Sequence, residues 1–559
     1  MKYTLLMTLL APALLAGCNL EKKEEPFQAR HIRAGYDAGQ VCQQLRQGWQ
    51  EDGIAIPTSQ VSCHYLTVPL DYDKEWVQIK ETKWEKRSAA RADSSLFADS
   101  SPRFSSWPDK PVRPHVKQEA RTVKGDTLDV FYLHYRASGH YRGTLFYNPG
   151  GPTSATPDLG LLLDLLRSAN PAILEHYDIV TLDPRGAGYS ALGHELRSCL
   201  LTDKQGVRPD MSPTQLAQLF ASRDKGALPA LQSGADQGKA FSTALLARCD
   251  EPLRLHAPHL GSRAVVEDME RLRQHLGRER ITPITFSYGT RLAALYAARY
   301  PSHVANLVVD SPMSPAENRY PAIFRGDAEN ANRILAWRFG DQALQRSMAV
   351  TRQVRDNGRY VDNQGNVLDR DRWEAVMSDA ISGSQRDDQL AFWLQDDAGP
   401  LLARLADQAD DNPYQELQEM PFFSAIHCTD NSEPYGWQTL DPEDAAFQGA
   451  GALLLANSFN TCADWPYPRQ PIASYGAGEI KLPDDARALV LGAEYDPNTP
   501  FVGARQMQAA FGSAARLVQV EQSNQHGQLN SSRCAQAALS TLLLGDGASL
   551  PAEQRCLAD

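Results

Sequence analysis

The sequence predicts an α/β protein in which a mostly parallel sheet is flanked by helices and interrupted by a helical insertion. A β-rich run that ends at Phe286 is followed at once by an Ala/Leu-rich helical pattern. Short apolar runs at 144–147, 178–182 and 515–520, and another within 486–500, indicate further buried strands. Between Pro312 and Leu482 the pattern becomes helical. Strands that alternate with helices are typical of parallel sheets.

The segment ITPITFSYGTRLAALYAARYP, residues 281–301, places a serine at a tight corner between strand and helix. This strand–Ser–x–Gly–helix layout is how α/β-hydrolases expose a nucleophilic serine above the sheet. We therefore predict Ser287 as the nucleophile, with Gly289 keeping the turn free of a side chain. Thr285 stands where the usual G-x-S-x-G motif has its first glycine.

The acid and the histidine of such a triad follow the serine in the chain. Asp496 lies in the loop after the strand predicted within 486–500, and His526 lies in the polar loop EQSNQHGQ after 515–520. No histidine other than His526 follows His427. Glu494 is the competing acid, but it lies two residues nearer the strand end. The alternative is that Asp496 only caps a D-P-N-T turn and His526 is a solvated loop residue.

The loop NPGGPTSA after 144–147 is the predicted second half of an oxyanion hole. Two backbone N–H groups are needed, one from the residue after the nucleophile, Tyr288, and one from this loop, at Gly150 and Gly151. A nucleotide-binding loop is excluded because neither G-x-G-x-x-G nor G-x-x-x-x-G-K-[ST] occurs here. In the next motif, YDIVTLDPRGAGYS, we expect Arg185 to brace loops rather than to act in catalysis.

Together, NPGGP, YDIVTLDPRGAGYS, TFSYGTRLAALYAARYP, GAEYDPNTP and QHG resemble the tripeptidyl/prolyl aminopeptidase family of α/β-hydrolases over residues 42–556. The resemblance implies a serine exopeptidase that removes single residues, dipeptides or tripeptides from peptide N-termini, sometimes with esterase activity. Two positions depart from the family pattern beside the predicted oxyanion hole: Thr285, and Thr153 in place of the glycine that follows NPGGP.

The helical insertion, residues 313–481, resembles the cap that covers the active site in this family, and a cap excludes water and shapes the pocket. Its late aromatic residues are expected mostly to fill the core, and a few of them to line a pocket: Phe422, Phe423, Tyr435, Trp437, Trp465 and Tyr467. An aminopeptidase needs a counter-charge for the substrate α-ammonium group. Asp430 and Glu433, in HCTDNSE beside Cys428, are the candidates.

The N-terminus indicates export. Residues 1–17 are predicted to be a signal peptide, because Lys2 precedes an apolar run too short to span a bilayer. The ending Leu-Ala-Gly-Cys resembles a bacterial lipoprotein processing site, which makes Cys18 the lipidated membrane anchor. Residues 18–40 are expected to form a tether. Asn19 resembles an outer-membrane sorting signal, for a cell that has such a membrane.

The eight cysteines after Cys18 predict disulfides, because their number is even in an exported chain. We pair them by sequence proximity. The pairs are Cys42–Cys63, Cys199–Cys249, Cys428–Cys462 and Cys534–Cys556. A zinc site is the competing interpretation, but no C-x₂-C or H-x₃-H spacing occurs, so we expect no metal.

Length and charge complete the predicted organisation. The core is expected at 41–312 and 482–559, with an exposed polar insertion at 74–115 that is rich in Lys, Arg, Ser and Pro. A net charge of −12 and a pI near 5.6 argue against nucleic acid as a partner. We expect a monomer without cofactors that acts on peptides.

Two other functions compete with the aminopeptidase. An esterase or lipase would use the same Ser-Asp-His triad without an ammonium site. A binding lipoprotein would carry the site without activity.

Overall fold

The computed structural model describes residues 29–54, 56–57, 59–84, 116–199, 245–382, 413–435, 441, 444–452 and 462–559. The predicted signal peptide, Cys18, part of the tether, most of the polar insertion and Trp437 lie outside these residues.

A ten-stranded sheet forms the centre of the larger of two compact units, residues 31–73 and 126–559. Its strands are β1 (His31–Ile32), β2 (Val61–Pro69), β5 (Thr127–Tyr135), β6 (Gly143–Asn148), β7 (Tyr177–Leu182), β8 (Thr282–Phe286), β9 (Leu307–Asp310), β12 (Ala488–Ala493), β13 (Ala515–Glu521) and β14 (Glu553–Leu557). The order is β1-β5-β7-β6-β8-β9-β12-β13-β14, with β2 also paired to β5. From β7 to β14 all pairs are parallel, whereas β2–β5 and β5–β7 are antiparallel.

Helices cover both faces of this sheet, which is why its central strands are buried along almost their whole length. Outside the insertion, the helices with defined bounds are α1 (Ala38–Glu51), α2 (Leu159–Ala169), α3 (Ala172–His176), α4 (Gly193–Ser198), α5 (Ser262–His275), α6 (Gly289–Arg299), α11 (Phe501–Phe511) and α12 (Arg533–Leu544). Residues 245–256 are also helical. Neighbouring residues of one strand enter different apolar clusters: Leu145 and Tyr147 pack with α1, α2 and α12, and Phe146 packs with α5, α6 and α11.

Helix α2 illustrates why the sequence folds in this way. Leu159, Leu162, Leu163 and Leu166 recur at helical spacing, and all are at most 1% exposed. Each leucine buried in this way contributes roughly 1.5–3 kcal/mol of transfer free energy.

Between β9 and β12 the chain leaves the sheet. The described elements of the insertion are α7 (Tyr320–Phe339), α8 (Asp341–Asn357), the hairpin β10 (Arg359–Val361) and β11 (Val367–Asp369), α9 (Arg370–Ser382) and α10 (Pro413–Asp430). Gly340, with φ 90°, separates α7 from α8. The helical insertion that the sequence predicts thus has an apolar cluster of its own, around Ile334, Leu335 and Val376.

The polar segment contains regular structure that the sequence analysis missed. Strands β3 (Trp76–Trp84) and β4 (Val116–Lys124) pair antiparallel and belong to the smaller compact unit. The sequence analysis predicted an exposed polar insertion over 74–115 and did not predict a strand at 76–84. The alternation in WVQIKETKW is the strand signal that the high charge content concealed.

The four predicted disulfides are confirmed: Cys42–Cys63, Cys199–Cys249, Cys428–Cys462 and Cys534–Cys556 are bonded. Within the described ranges, no helix is both long enough and apolar enough to cross a membrane.

Candidate active site

Ser287 occupies a strained corner between β8 and α6. Its φ is 51°, a left-handed conformation that is uncommon outside glycine. Its N–H donates to the Asp310 carbonyl oxygen at 3.0 Å, and its own carbonyl oxygen accepts from the N–H of Thr290 at 3.0 Å. A Cβ on Gly289 would lie 2.4 Å from Asn148 Oδ1 and 3.0 Å from the Asn148 carbonyl oxygen, so any larger residue here would crowd the glycine loop. The geometry is that of a nucleophile elbow.

Asp496 and His526 form the predicted pair. Both carboxylate oxygens of Asp496 lie 3.0 Å from His526 Nδ1. Asp496 is fully buried and also accepts from the N–H groups of Asn498 and Thr499, each at 2.9 Å. Glu494 instead accepts from the N–H of Gln522 at 3.0 Å. Asp496 therefore both caps the D-P-N-T turn and orients His526. The prediction that Asp496, and not Glu494, is the partner of His526 is confirmed.

Asp310 connects the nucleophile with the histidine loop. Its carbonyl oxygen accepts from Ser287, and its two carboxylate oxygens accept from the N–H groups of Gln528 and Leu529, each at 2.8 Å. One residue later, Ser311 Oγ accepts from the N–H of Gly527 at 2.8 Å. The sequence analysis missed Asp310, and a carboxylate directly after the apolar run LVV was the available signal.

The electrostatics of His526 suit a general base. Burial opposes the charged imidazolium, but the hydrogen bond and the negative charge of Asp496, with a further contribution from Asp310, prevail and raise the pKa of His526. Because Nδ1 faces a carboxylate, we assign its proton there. Nε2 is then free to accept a proton.

The glycine loop lies directly over Ser287, as predicted. A Cβ on Gly150 would stand 2.9 Å from Ser287 Cβ and 2.7 Å from the Phe286 carbonyl oxygen. The amide of Gly150, however, donates to Asn148 Oδ1 at 3.0 Å, so it is not available to an oxyanion. Within the described residues, the amides of Gly151 and Tyr288 have no acceptor. This corrects the prediction, which counted Gly150 as a donor.

Two buried polar groups hold the surrounding loops. Asp183 accepts from the N–H groups of Ala155 and Thr156, each at 2.9 Å, and from that of Tyr189 at 3.0 Å. Arg185 is fully buried, and its Nε donates to Asp268 Oδ2 at 2.7 Å. The structural role predicted for Arg185 is confirmed.

Asp430 does not offer an open carboxylate to a substrate. It is 2% exposed and accepts from both the N–H (2.8 Å) and the hydroxyl group of Ser262. The same hydroxyl oxygen contacts the Tyr288 hydroxyl at 2.5 Å. Burial raises the pKa of Asp430 to about 6, against the opposing effect of these hydrogen bonds. The ammonium role predicted for Asp430 therefore conflicts with its occupied oxygens.

Glu433 fits the ammonium role poorly for the opposite reason. It is exposed, on the wall of a groove that is also lined by Arg319 and Arg325. Water and the two guanidinium groups would screen its charge. The aromatic residues behave mostly as predicted: Phe422, Tyr435, Trp465 and Tyr467 are buried in the core, whereas Phe423 is 37% exposed.

Helix α7 of the insertion lies against the loop that carries the acid. Asn330 Nδ2 donates to the Asp496 carbonyl oxygen at 2.7 Å, and an Arg333 nitrogen donates to that of Glu494. The Trp337 ring stacks on Tyr495 with centroids 4.1 Å apart. The insertion is thus held next to Asp496.

Comparisons with known proteins agree with this geometry. A family model of the alpha/beta hydrolase fold matches residues 143–531, which include the glycine loop, Ser287, Asp496 and His526. The chain is 25% identical over 417 residues to a tripeptidyl aminopeptidase of Streptomyces coelicolor, covering 69% of this chain and 71% of the relative. It is 26% identical over 477 residues to carboxylesterase B of Mycobacterium tuberculosis, covering 77% and 83%. It is 25% identical over 413 residues to serine protease Hip1 of the same species, covering 67% and 74%.

Proposed function

Because the chain belongs to the α/β-hydrolase fold family, we propose that it is an exported serine aminopeptidase that releases short N-terminal units from peptides. The chain is a serine hydrolase of the peptidase type. The observation that carries the proposal is the pairing of His526 with Asp496 on a loop that is bonded to Asp310, the residue whose carbonyl oxygen accepts from the elbow serine, Ser287. The named activity of the Streptomyces relative supports the finer assignment.

In the proposed mechanism, Ser287 Oγ attacks the substrate carbonyl carbon while His526 Nε2 takes its proton. The amides of Tyr288 and Gly151 stabilise the resulting oxyanion. His526 then passes the proton to the departing amine as the C–N bond breaks. Water, deprotonated by His526, attacks the acyl-enzyme and releases the N-terminal unit. Throughout, Asp496 holds the imidazole in the required tautomer and stabilises its cation.

The test of the nucleophile uses Ser287→Ala. We expect this variant to lose hydrolysis by about 10⁴- to 10⁶-fold and to lose labelling by a fluorophosphonate probe. Ser540→Ala is the matched control, because the Ser540 hydroxyl lies on α12 and bonds the Gln536 carbonyl oxygen. If Ser287→Ala kept more than about a tenth of wild-type activity, another residue would be the nucleophile.

The substrate class is tested with matched peptides. An aminopeptidase should cleave peptides with a free N-terminus and should lose this activity when the same peptides are N-acetylated. The similarity to carboxylesterase B favours a second candidate, an esterase that uses the same triad on acyl esters. That candidate would hydrolyse small neutral esters well and would not discriminate between free and acetylated peptides.

We also propose that residues 1–17 are removed on export and that Cys18 carries the lipid anchor. The four disulfides support an oxidising compartment, because such bonds rarely persist in the cytosol. We expect Cys18→Ser to move the protein from the membrane fraction to the soluble fraction. Unchanged fractionation would contradict the anchor and leave the catalytic proposal untouched.

A further inference from the structure

We propose that Asp327, on helix α7, binds the α-ammonium group of the substrate, an inference that rests on the proposed aminopeptidase function. The sequence analysis placed this role at Asp430 and Glu433. Asp430 is 2% exposed and each of its oxygens already accepts from Ser262, whereas Glu433 is exposed beside two arginines. Asp327 accepts no hydrogen bond from a described residue and is only partly exposed.

The position of Asp327 follows from helix geometry. Asn330 and Arg333 on α7 donate to the carbonyl oxygens of Asp496 and Glu494, and Trp337 stacks on Tyr495. Residues 330, 333 and 337 therefore form the helix face that meets the acid loop. Asp327 precedes Asn330 by three residues, so it continues this face by about one turn of the helix.

Asp327 differs from the other acids of the region in lacking a partner. Asp310 accepts from two amides, Asp430 from Ser262, and Asp496 from two amides and His526. Asp327 has no hydrogen bond and no ion pair with any residue that the structure describes. A carboxylate shielded in this way is costly unless a donor reaches it. Its residue remains partly exposed, so a ligand can approach it.

The charged groups around Asp327 are bonded to other residues, and none of them is described as a counter-ion of Asp327. Arg325, on the same helix, is bonded to Asp444 and Glu329, and Arg333 is bonded to Asn330 and a carbonyl oxygen. On the acid loop, Asp496 carries a like charge, and His526 is already bonded to it. Burial, with a contribution from the charge of Asp496, raises the pKa of Asp327 to about 7. A bound ammonium group would offset both the burial of the Asp327 carboxylate and its repulsion by Asp496.

This chemistry selects a primary ammonium group next to the triad. A peptide whose acyl carbon is presented to Ser287 has its free N-terminus only a few residues away when the released unit is short, because an extended residue spans about 3.3–3.6 Å. An acetylated N-terminus offers no positive charge, and a neutral ester offers none either. Asp327 would therefore discriminate between substrates without taking part in the chemical step.

The experiment compares Asp327→Asn with Glu329→Gln, a matched control on the exposed side of the same helix. We expect Asp327→Asn to lower kcat/KM for free-amine peptides by about ten- to hundredfold, the value of one charge-assisted hydrogen bond. Hydrolysis of p-nitrophenyl acetate should be unchanged in both variants. The unfolding temperature should not fall, because the change removes an unpaired charge.

The pH profile supplies a second readout. With free-amine peptides, the acid limb of log kcat/KM should approach a slope of about two, since His526 and Asp327 must both lose a proton. With the ester, and with Asp327→Asn on either substrate, the slope should be about one. A structural role for Asp327 would not change this slope.

The outcomes separate the two proposals. If wild-type protein prefers free-amine peptides but Asp327→Asn behaves like Glu329→Gln, the assignment of Asp327 is refuted and the aminopeptidase remains. Equal losses of Asp327→Asn on peptide and ester would also refute the assignment, because they would mean an effect on the triad. If wild-type protein cleaves acetylated and free peptides equally, the aminopeptidase proposal itself fails.

Discussion

Replacement of Asp310 by asparagine tests whether the Asp310 carboxylate positions the loop that carries His526. The carbonyl oxygen of the same residue accepts a hydrogen bond from the amide of Ser287. Asp310 accepts hydrogen bonds at 2.8 Å from the amides of Gln528 and Leu529, which lie two and three residues after His526. In Asp310→Asn, one of the two acceptor oxygens becomes an NH₂ group that faces an N–H donor. One charge-assisted hydrogen bond is lost, at a cost of about 1.5–3 kcal/mol.

If the lost hydrogen bond displaces His526 and its full energy is added to the activation barrier, kcat falls by about 10- to 150-fold, since 1.4 kcal/mol is a factor of ten. The KM value should change little, because Asp310 is fully buried and does not face the substrate. The assay is steady-state hydrolysis of a free-amine peptide at pH 8, with unfolding followed by circular dichroism.

A pH profile distinguishes positioning from general damage. The charge of Asp310 is one of the contributions that raise the pKa of His526. The acid limb of kcat/KM should therefore move to lower pH in Asp310→Asn. The matched control is Asp485→Asn, which removes an exposed acid that pairs with Arg280. A folded Asp310→Asn variant with kcat within about twofold of wild type and an unmoved acid limb would refute the reasoning.

The remaining predictions concern the acid, the base and the loops. Asp496→Asn should reduce kcat by about 10⁴-fold by favouring the wrong imidazole tautomer, whereas Glu494→Gln should be far milder; peptide turnover that ranked them the other way would overturn the assignment. The acid limb of kcat/KM should titrate above the ordinary histidine pKa of 6.5, because the base must be neutral and the pKa of His526 is raised; a midpoint below 6.5 would contradict this. Gly150→Ala should abolish most activity, because its Cβ would meet Ser287 Cβ and the Phe286 carbonyl oxygen; a fully active, folded variant would disprove the packing. Thr285→Gly should lower the unfolding free energy by about 1–3 kcal/mol without raising kcat; urea unfolding and peptide kinetics test both parts.

The parts of the fold and site that depend on local patterns could be predicted from the sequence. The strand runs before Asn148 and Ser287 are short and mostly apolar, and the structure places their ends within one residue of the expectation. The strand predicted within 486–500 spans Ala488–Ala493. Chain order predicted that Asp496 and His526 pair, because the fold presents serine, acid and histidine in that order, and the structure places their side chains 3.0 Å apart.

Contacts between distant residues could not be predicted in this way. The bonds from Asp310 to the histidine loop join residues 218 and 219 positions apart, and no local pattern encodes them. Which amide of the glycine loop can donate to an oxyanion depends on the Asn148 side chain, because its Oδ1 accepts the hydrogen bond of the Gly150 amide. Asp430 and Asp327 are both acids on helices of the insertion. Only the tertiary structure shows that the oxygens of Asp430 are occupied and that those of Asp327 have no described partner.

The two threonines that depart from the resembled family pattern are compatible with a working site. Thr285 is fully buried in β8, and its hydroxyl donates to the Val308 carbonyl oxygen on β9 at 3.2 Å. Its side chain is therefore bonded within the sheet and is not directed at an oxyanion. Thr153 packs on the glycine loop, where a Cβ on Gly151 would lie 2.3 Å from the Thr153 nitrogen. With φ 93° and this close approach, position 151 requires glycine whatever residue stands at 153. Thr153 is therefore compatible with a loop in which the Gly151 amide has no acceptor among the described residues, as an oxyanion hole requires.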